Sequence, residues 1–239
     1  MDMLALLGGF TIGEITIPYA WIGVFLGVYL GTQFMKWYVR RTSIQQGQQI
    51  SELLLSIVLV GVLGWKFSNL LLNPMDAIHN PLSMLAIPGS TYAGEAGLLV
   101  ALTYGSYKWW RLKPIWRSVI NIWPIGLVAG GAVTELFWLS LGKTTHLPWG
   151  VHAYGQVYQP TNFYESMVLW ISLAIVWKMR VRNKGSWLLI FVGIGSLLVS
   201  ITAVNTWVII GLSPGQWVAL VLALLGIISV RENDRRQIV

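Results

Sequence analysis

The sequence contains no cysteine, and this absence excludes several kinds of site at once. A chain without cysteine forms no disulfide and has no catalytic thiol, cysteine-ligated zinc or iron–sulfur cluster. Only three histidines are present, His79, His146 and His152, and they do not follow a metal-ligand spacing. They are interpreted as solvated loop residues, and neither a metal nor a cofactor is expected.

Charged side chains are also scarce. They make up 10% of the chain, whereas hydrophobic residues make up 55%, including 14 Trp. A soluble globular domain usually has about 25% charged residues. The composition therefore excludes an ordinary soluble domain and a disordered chain, and it indicates an integral membrane protein.

Long apolar stretches are abundant, and a helix that crosses a bilayer needs about 20 such residues. Seven stretches qualify, of which the third and seventh are short: residues 14–35, 51–72, 93–109, 118–141, 161–178, 186–210 and 213–230. They predict an all-α integral membrane protein with seven transmembrane helices, forming a single transmembrane domain over residues 1–239. No basic segment precedes the first stretch, so it is predicted to be retained and not cleaved as a signal peptide.

The basic residues that give the net charge of +7 are placed unevenly. Fourteen of the 16 Lys and Arg follow the first stretch, lie between the third and fourth or the fifth and sixth, or follow the seventh. All these positions share one side, which the positive-inside rule makes cytoplasmic. The prediction is an N-terminus outside and a C-terminus inside, with basic clusters beside anionic lipid and no nucleic-acid partner.

Two connections on the outer side are long. Residues 72–92 contain Asn-Pro and Pro-Gly turn signals, and their apolar part, residues 81–87, is expected at the membrane surface. Residues 142–160 are predicted to form a small extracytoplasmic cap.

Four ionisable residues fall within the predicted spans: Lys66, Glu95, Glu135 and Glu165. Such residues are costly in lipid and are functional candidates by default. Counted along each helix, all four fall in the outer half of the membrane, which predicts one polar site open to the outer leaflet. The alternative is structural: Lys66 pairs with Glu95 or Glu135, and Glu165 caps its span. In the fourth span, Gly126, Gly130 and Gly131 favour close helix approach and also admit a headgroup near the backbone.

Several short motifs resemble, in order and spacing, those of the prolipoprotein diacylglyceryl transferase family. They are Asn80-Pro81-Leu82, Glu95-Ala96-Gly97-Leu98-Leu99, Pro124-Ile125-Gly126-Leu127, Leu147-Pro148-Trp149-Gly150, Pro160-Thr161-Asn162-Phe163-Tyr164-Glu165 and Gly211-Leu212-Ser213-Pro214-Gly215-Gln216-Trp217. The resemblance implies a seven-span bacterial cytoplasmic membrane enzyme that moves diacylglycerol from phosphatidylglycerol to the cysteine of a lipoprotein precursor. It implies membrane lipid as a partner, phosphatidylglycerol or another glycerophospholipid, together with a lipoprotein precursor or a membrane partner protein.

Many positions that carry the family's chemistry are replaced. The family signature Gly-Arg-x-Gly-Asn-Phe-x-Asn-x-Glu-x-x-Gly falls on residues 130–142, where the matching positions hold Gly131, Thr134, Phe137 and Leu139. Glu95 replaces the family's histidine, and Lys66 replaces an arginine. In the sixth span Ser196 and Ser200 fall on an arginine and a glutamate, and Gln159 replaces the histidine before Pro160. Tyr164 and Glu165 are kept, with Asn162 in place of a glutamine.

These replacements move the site from net cationic toward net acidic. An anionic phosphate needs a cation, and Lys does not reproduce the bidentate donors of Arg. The first interpretation is therefore a non-catalytic or substrate-altered member that keeps a lipid-binding cavity. In it Lys66, Gly130, Gly131, Thr134, Glu135 and Asn162 contact lipid or headgroup.

Two alternatives stay open. In the first, the chain is an active phosphatidylglycerol-dependent diacylglyceryl transferase in lipoprotein biosynthesis. Glu95, Tyr164 and Glu165 are then catalytic, with Glu95 as general base and Lys66 as the anion contact. In the second, the chain is a transporter or ion pathway that uses its charged residues as a relay.

Overall fold

Seven helices make up most of the chain in a computed structural model that describes residues 8–12, 15–68, 92–204 and 207–235. Within this part the helices are α1 (Tyr19–Thr42), α2 (Gly47–Lys66), α3 (Ala93–Leu112), α4 (Trp116–Phe137), α5 (Thr161–Lys178), α6 (Lys184–Ser200) and α7 (Pro214–Arg235). The strands are β1 (Gly9–Ile12), β2 (Ile15–Pro18), β3 (Leu141–Thr144), β4 (Val151–Ala153) and β5 (Gln156–Pro160). The connection predicted over residues 72–92, with its apolar part and His79, lies outside the described residues except for Tyr92.

Three of the described helices are long and apolar enough to cross a membrane. They are α2, α4 and the Pro214–Glu232 part of α7. Helix α6 is apolar but shorter. The prediction of a mostly helical protein with helices able to span a membrane is thus confirmed, and seven spans stay a prediction.

Consecutive helices run in opposite directions. This follows from contacts between the start of one helix and the end of the next. Asn162 near the start of α5 binds Glu135 near the end of α4, and Glu165 binds Ser196 near the end of α6. In the same way, glycines of α1 lie against α4, those of α2 against α3, and Gly193 of α6 against α7.

Opposite ends of this bundle differ in chemistry. One end, here called the basic end, holds the basic clusters and the short loops of residues 43–46, 113–115 and 179–183. There Arg117 of α4 forms an ion pair of 3.0 Å with Glu232 of α7. At the other, here the cap end, β3, β5 and β4 form an antiparallel sheet in that order. The β4–β5 hairpin turns at Tyr154 and Gly155, both with positive φ, as a two-residue hairpin loop requires.

Helix α4 lies at the centre of the bundle. In the most apolar 18-residue stretch of α4, 61% is buried. The corresponding stretches of α2 and α7 are 33% and 22% buried. One side of α4 packs on α1 through small residues: a side-chain carbon at Gly27 would overlap Thr134 and the Gly130 carbonyl, and one at Gly31 the Gly126 carbonyl. The prediction that Gly126 and Gly130 serve close helix approach is confirmed by these contacts.

Several predicted span boundaries are wrong. Helix α2 ends at Lys66 and not at residue 72, and α4 ends at Phe137, before Leu141 begins β3. The first span does not begin at residue 14, because Ile15–Pro18 pairs with Gly9–Ile12 as a hairpin and α1 begins at Tyr19. The sixth does not reach residue 210, because α6 ends at Ser200. There the Thr202 carbonyl accepts a hydrogen bond from the Lys143 backbone N–H at 2.8 Å. An apolar run does not reveal such backbone pairing.

Candidate functional site

Two carboxylates line one cavity of about 450 Å³ between α4, α5, α6 and α7 at the cap end. Glu135 comes from the last turn of α4 and Glu165 from the second turn of α5. The remaining lining is formed by Ser140, Thr161, Asn162, Ser196, Val199, Ser200, Ala203, Val204, Trp207, Ser213, Pro214, Gly215 and Gln216. The cavity is thus polar, and its ionisable side chains within the described residues are both acidic.

Asn162 fastens the start of α5 to the end of α4. Its amide Nδ2 donates a hydrogen bond of 3.1 Å to the backbone carbonyl of Glu135, and the residue is only 3% exposed. Because the amide nitrogen has to face that carbonyl, the orientation of the Asn162 amide is fixed. Its Oδ1 is buried and accepts no hydrogen bond from the described residues.

A serine on α6 orients Glu165. The Ser196 hydroxyl donates a hydrogen bond of 2.8 Å to Glu165 Oε2. No further hydrogen bond joins the side chain of either carboxylate to the described residues. The described lining of the cavity thus holds two carboxyl groups and no Lys or Arg.

The wall opposite the carboxylates is the start of α7. Ser213 and Gln216 form a reciprocal capping pair: the Ser213 backbone N–H donates to Gln216 Oε1 at 2.8 Å, and the Gln216 N–H donates to Ser213 Oγ at 3.3 Å. Gln216 Nε2 also donates to Ser200 Oγ at 3.0 Å, which joins α7 to α6. These hydrogen bonds connect the start of α7 to the end of α6.

Glu135 also lines a second, apolar crevice of about 230 Å³ between α1, α2 and α4. Gly130, Gly131 and Thr134 lie in this crevice, together with aliphatic side chains such as Val58. The Thr134 hydroxyl is engaged at the contact between helices, 3.1 Å from the Gly130 carbonyl and 3.3 Å from that of Gly23. The polar cavity and the apolar crevice thus meet at Glu135.

Lys66 and Glu95 lie at the cap end but outside the lining of both cavities. Lys66 is the last residue of α2, and its Nζ lies 4.3 Å from the centre of the Trp21 ring. Glu95 is exposed in the first turn of α3, a helix that packs on α2. The four ionisable candidates therefore share one end of the bundle, as predicted, but only Glu135 and Glu165 share a cavity.

Tyr164 has a different position from Glu165. Its hydroxyl accepts a hydrogen bond of 2.9 Å from Trp149 Nε1, in the connection between β3 and β4. Tyr164 does not line the polar cavity, so its contact ties the cap to α5.

The sequence analysis did not assign a site role to Ser196, Ser200, Ser213 or Gln216. Two signals were available. Ser196 and Ser200 are four residues apart in an apolar helix and so share a face, and Ser213-x-x-Gln216 has the pattern of a capping box. Within the described residues, no group of three or more acidic or histidine side chains is placed to hold a metal.

Comparison with known proteins agrees with the resemblance seen in the motifs. The sequence model of the family described as prolipoprotein diacylglyceryl transferase matches residues 9–231. A phosphatidylglycerol–prolipoprotein diacylglyceryl transferase of Wolinella succinogenes is 28% identical over 120 residues, which cover 45% of this chain. The chain covers 43% of that relative's length, less than half. Since the family match extends over nearly all the helices, the chain belongs to the prolipoprotein diacylglyceryl transferase family, a family of bacterial membrane transferases in lipoprotein biosynthesis.

Proposed function

We propose that this chain binds a membrane glycerolipid and does not transfer diacylglycerol from phosphatidylglycerol. The observation that carries the proposal is that Glu135 and Glu165 line one cavity with no Lys or Arg among its described lining residues. The relative's name gives phosphatidylglycerol as that enzyme's lipid, and this headgroup is anionic.

Electrostatics disfavour an anionic headgroup in this cavity. An anionic phosphate beside an ionised carboxylate meets like-charge repulsion, which is stronger in a partly buried site than in bulk water. A bound phosphate also needs charge-assisted donors, which Arg supplies best. Lys66, the remaining cation of the resemblance, lies against Trp21 and is not part of the lining.

The adjoining crevice supports a lipid as the ligand. A headgroup in the polar cavity places its glycerol backbone near Glu135, where the apolar crevice between α1, α2 and α4 begins. The aliphatic lining of the crevice suits acyl chains, which keep apolar surroundings when they leave the bilayer for it. The polar cavity, at about 450 Å³, lies within the roughly 300–1,000 Å³ of small-molecule sites. The crevice adds about 230 Å³ next to it.

The proposal includes the location of the protein. The seven helices cross the bacterial cytoplasmic membrane, with the basic end in the cytoplasm and the cap end outside. The described basic clusters lie together at one end of the bundle, which the positive-inside rule assigns to the cytoplasm. The polar cavity then opens at the outer leaflet, where a lipoprotein precursor or a membrane partner protein would meet it.

A reconstitution experiment tests this function. The purified chain is placed in liposomes that contain phosphatidylglycerol, and a lipoprotein-signal peptide with its cysteine is added. Mass spectrometry then measures both the peptide mass and the glycerolipid that remains bound after re-extraction. We expect a stoichiometric bound glycerolipid and no mass increase on the peptide.

If the peptide gains the mass of diacylglycerol and Glu95→Gln abolishes this gain, the proposal is contradicted and the transferase alternative is established. If the chain neither retains a glycerolipid nor modifies the peptide, the proposal that it binds lipid is wrong. Glu52→Gln is the matched control, because Glu52 is an exposed carboxylate near the basic end that accepts a hydrogen bond from Gln48 of the same helix.

A further inference from the structure

The connection between α6 and α7 is apolar and carries no charge. From Gly185 to Val230 the sequence contains no Lys, Arg, Asp, Glu or His. The cap connection between α4 and α5, by contrast, contains Lys143, His146 and His152. Because connections in water are normally polar, the composition of the α6–α7 connection does not suit an aqueous loop.

A tight turn lies within this connection. Ile209 and Leu212 pair through two backbone hydrogen bonds of 2.8 and 3.1 Å. The residues between them, Ile210 and Gly211, have φ angles of 52° and 79°. Positive φ at both central residues is the requirement of a type I′ turn, which favours Asn-Gly or Asp-Gly. Ile210 is a costly residue at this place, because a β-branched side chain is strained at positive φ.

The same turn exposes its apolar side chains. Ile210 is 88% exposed, and Trp207 and Val208 are 64% and 56% exposed. In water the turn would combine a strained backbone with exposed apolar surface, and Asn or Asp would avoid both costs. In hydrocarbon the apolar side chain is the favourable choice, and exposed apolar patches of this kind mark contacts with membranes or proteins.

The turn is fastened to the beginning of α7. Trp217, in the first turn of that helix, donates a hydrogen bond of 2.9 Å from its indole Nε1 to the Ile209 carbonyl. The Pro214–Glu232 part of α7 is long and apolar enough to cross a membrane, and Val218 on its next turn is exposed. Leu198 near the end of α6 is exposed as well. The apolar surface of the turn therefore adjoins helices that also present apolar side chains to their surroundings.

We propose that residues 207–212, here the apolar turn, insert into the hydrocarbon of the outer leaflet beside the polar cavity, of whose lining Trp207 is part. The partner is the acyl region of the bilayer, and no particular headgroup is recognised. The inference rests on the proposed location of the protein and does not depend on which lipid the cavity binds. The β4–β5 hairpin of the cap, with its tip at Tyr154, stays in water.

Aspartate substitutions at the two turns distinguish lipid from water. Tyr154 is the matched position, because it is 85% exposed, has a φ of 49° and precedes Gly155, whose φ is 75°. Aspartate favours such a turn in water but is costly in hydrocarbon. In nanodiscs, Tyr154→Asp should therefore raise the temperature of thermal unfolding, and Ile210→Asp should lower it. A higher unfolding temperature for both variants would overturn the inference.

The depth of the turn is measured directly by fluorescence quenching. Since the chain has no Cys, a single fluorophore can be attached at Ile210→Cys, at Tyr154→Cys or at Leu224→Cys, an exposed position within α7. Each labelled chain is reconstituted in liposomes and treated with nitroxide-bearing acyl chains or with aqueous iodide. We expect nitroxide quenching and emission at shorter wavelength for positions 210 and 224, and iodide quenching for position 154.

The outcomes separate this inference from the location on which it rests. Nitroxide quenching at 224 together with iodide quenching at 210 would overturn the inserted turn while the location stands. Iodide quenching at both 224 and 210 would overturn the location as well. Protection of position 210 from both quenchers would show that a second copy or another protein covers the turn, and lipid would be the wrong partner.

Discussion

Asn162 Nδ2 donates a hydrogen bond of 3.1 Å to the backbone carbonyl of Glu135, and this bond holds the start of α5 against the end of α4 at the cap end. It joins the third residue from the end of α4 to the second residue of α5. One turn further along α5, Glu165 then reaches the same cavity as Glu135. A single buried amide thereby brings together two carboxylates that are 30 residues apart in the chain.

Ser196→Ala removes the one hydroxyl that binds Glu165. Hydrogen bonds to charged groups contribute about 1.5–3 kcal/mol, and because this pair is only partly buried, we expect a loss of about 1–2 kcal/mol. Chemical unfolding in detergent measures it. Ser56→Ala is the control, since among the described residues Ser56 binds the Leu53 carbonyl of its own helix and no other helix. Equal effects of the two substitutions would show that Ser196 has no particular role.

Gly27→Leu should disrupt the contact between α1 and α4. A side chain at Gly27 overlaps Thr134 and the Gly130 carbonyl, and backbone atoms cannot move aside cheaply. Overpacking of this kind typically costs about 1–3 kcal/mol, and occasionally more. The midpoint of denaturant unfolding should fall accordingly.

Gly94→Ala is the matched control for that substitution, because no atom of the described residues beyond its own helix turn lies within 4 Å of a side-chain carbon at Gly94. Since alanine favours helix over glycine by up to about 1 kcal/mol, this variant should be neutral or slightly more stable. A Gly27→Leu chain as stable as Gly94→Ala would show that α1 and α4 do not pack as described.

The sequence predicted the helical class and the family, because these depend on composition and on motifs spaced along the chain. It also placed Lys66, Glu95, Glu135 and Glu165 at a common depth, since depth follows from counting residues along a helix. It could not predict which of them share a cavity. That depends on lateral packing, and α3 packs on α2, which leaves Glu95 away from Glu135.

Two features of the site had no clear sequence signal. The orphaned oxygen of Asn162 exists only because its amide nitrogen meets the Glu135 carbonyl, a contact between helices. The end of α6 at Ser200 depends on Thr202 pairing with β3, although the following residues are as apolar as the helix itself. Both features depend on hydrogen bonds between residues that are distant in the sequence.

The capping pair at the start of α7 gives a third prediction. Ser213→Ala removes the acceptor for the Gln216 backbone N–H and should destabilise the protein by about 1 kcal/mol. Gln216→Ala should cost more, because Gln216 also binds Ser200 of α6. Thermal unfolding of both single variants and the double variant gives their coupling, which should be clearly different from zero because the side chains act as one unit. Strictly additive effects would contradict the reciprocal cap.

The absence of cysteine makes the proposed orientation directly measurable, because any introduced thiol is the only one in the chain. His152→Cys places an exposed thiol in β4 of the cap, and Arg182→Cys places one in the loop between α5 and α6 at the basic end. In intact bacterial cells with a permeable outer barrier, a membrane-impermeant maleimide should label Cys at 152 and not at 182. After the cytoplasmic membrane is permeabilised, both positions should react.

Labelling of position 182 in intact cells would reverse the orientation, and with it the proposal that the Glu135–Glu165 cavity faces the outer leaflet. Labelling at both positions before permeabilisation would show that the membrane is not a barrier between the two ends of the bundle.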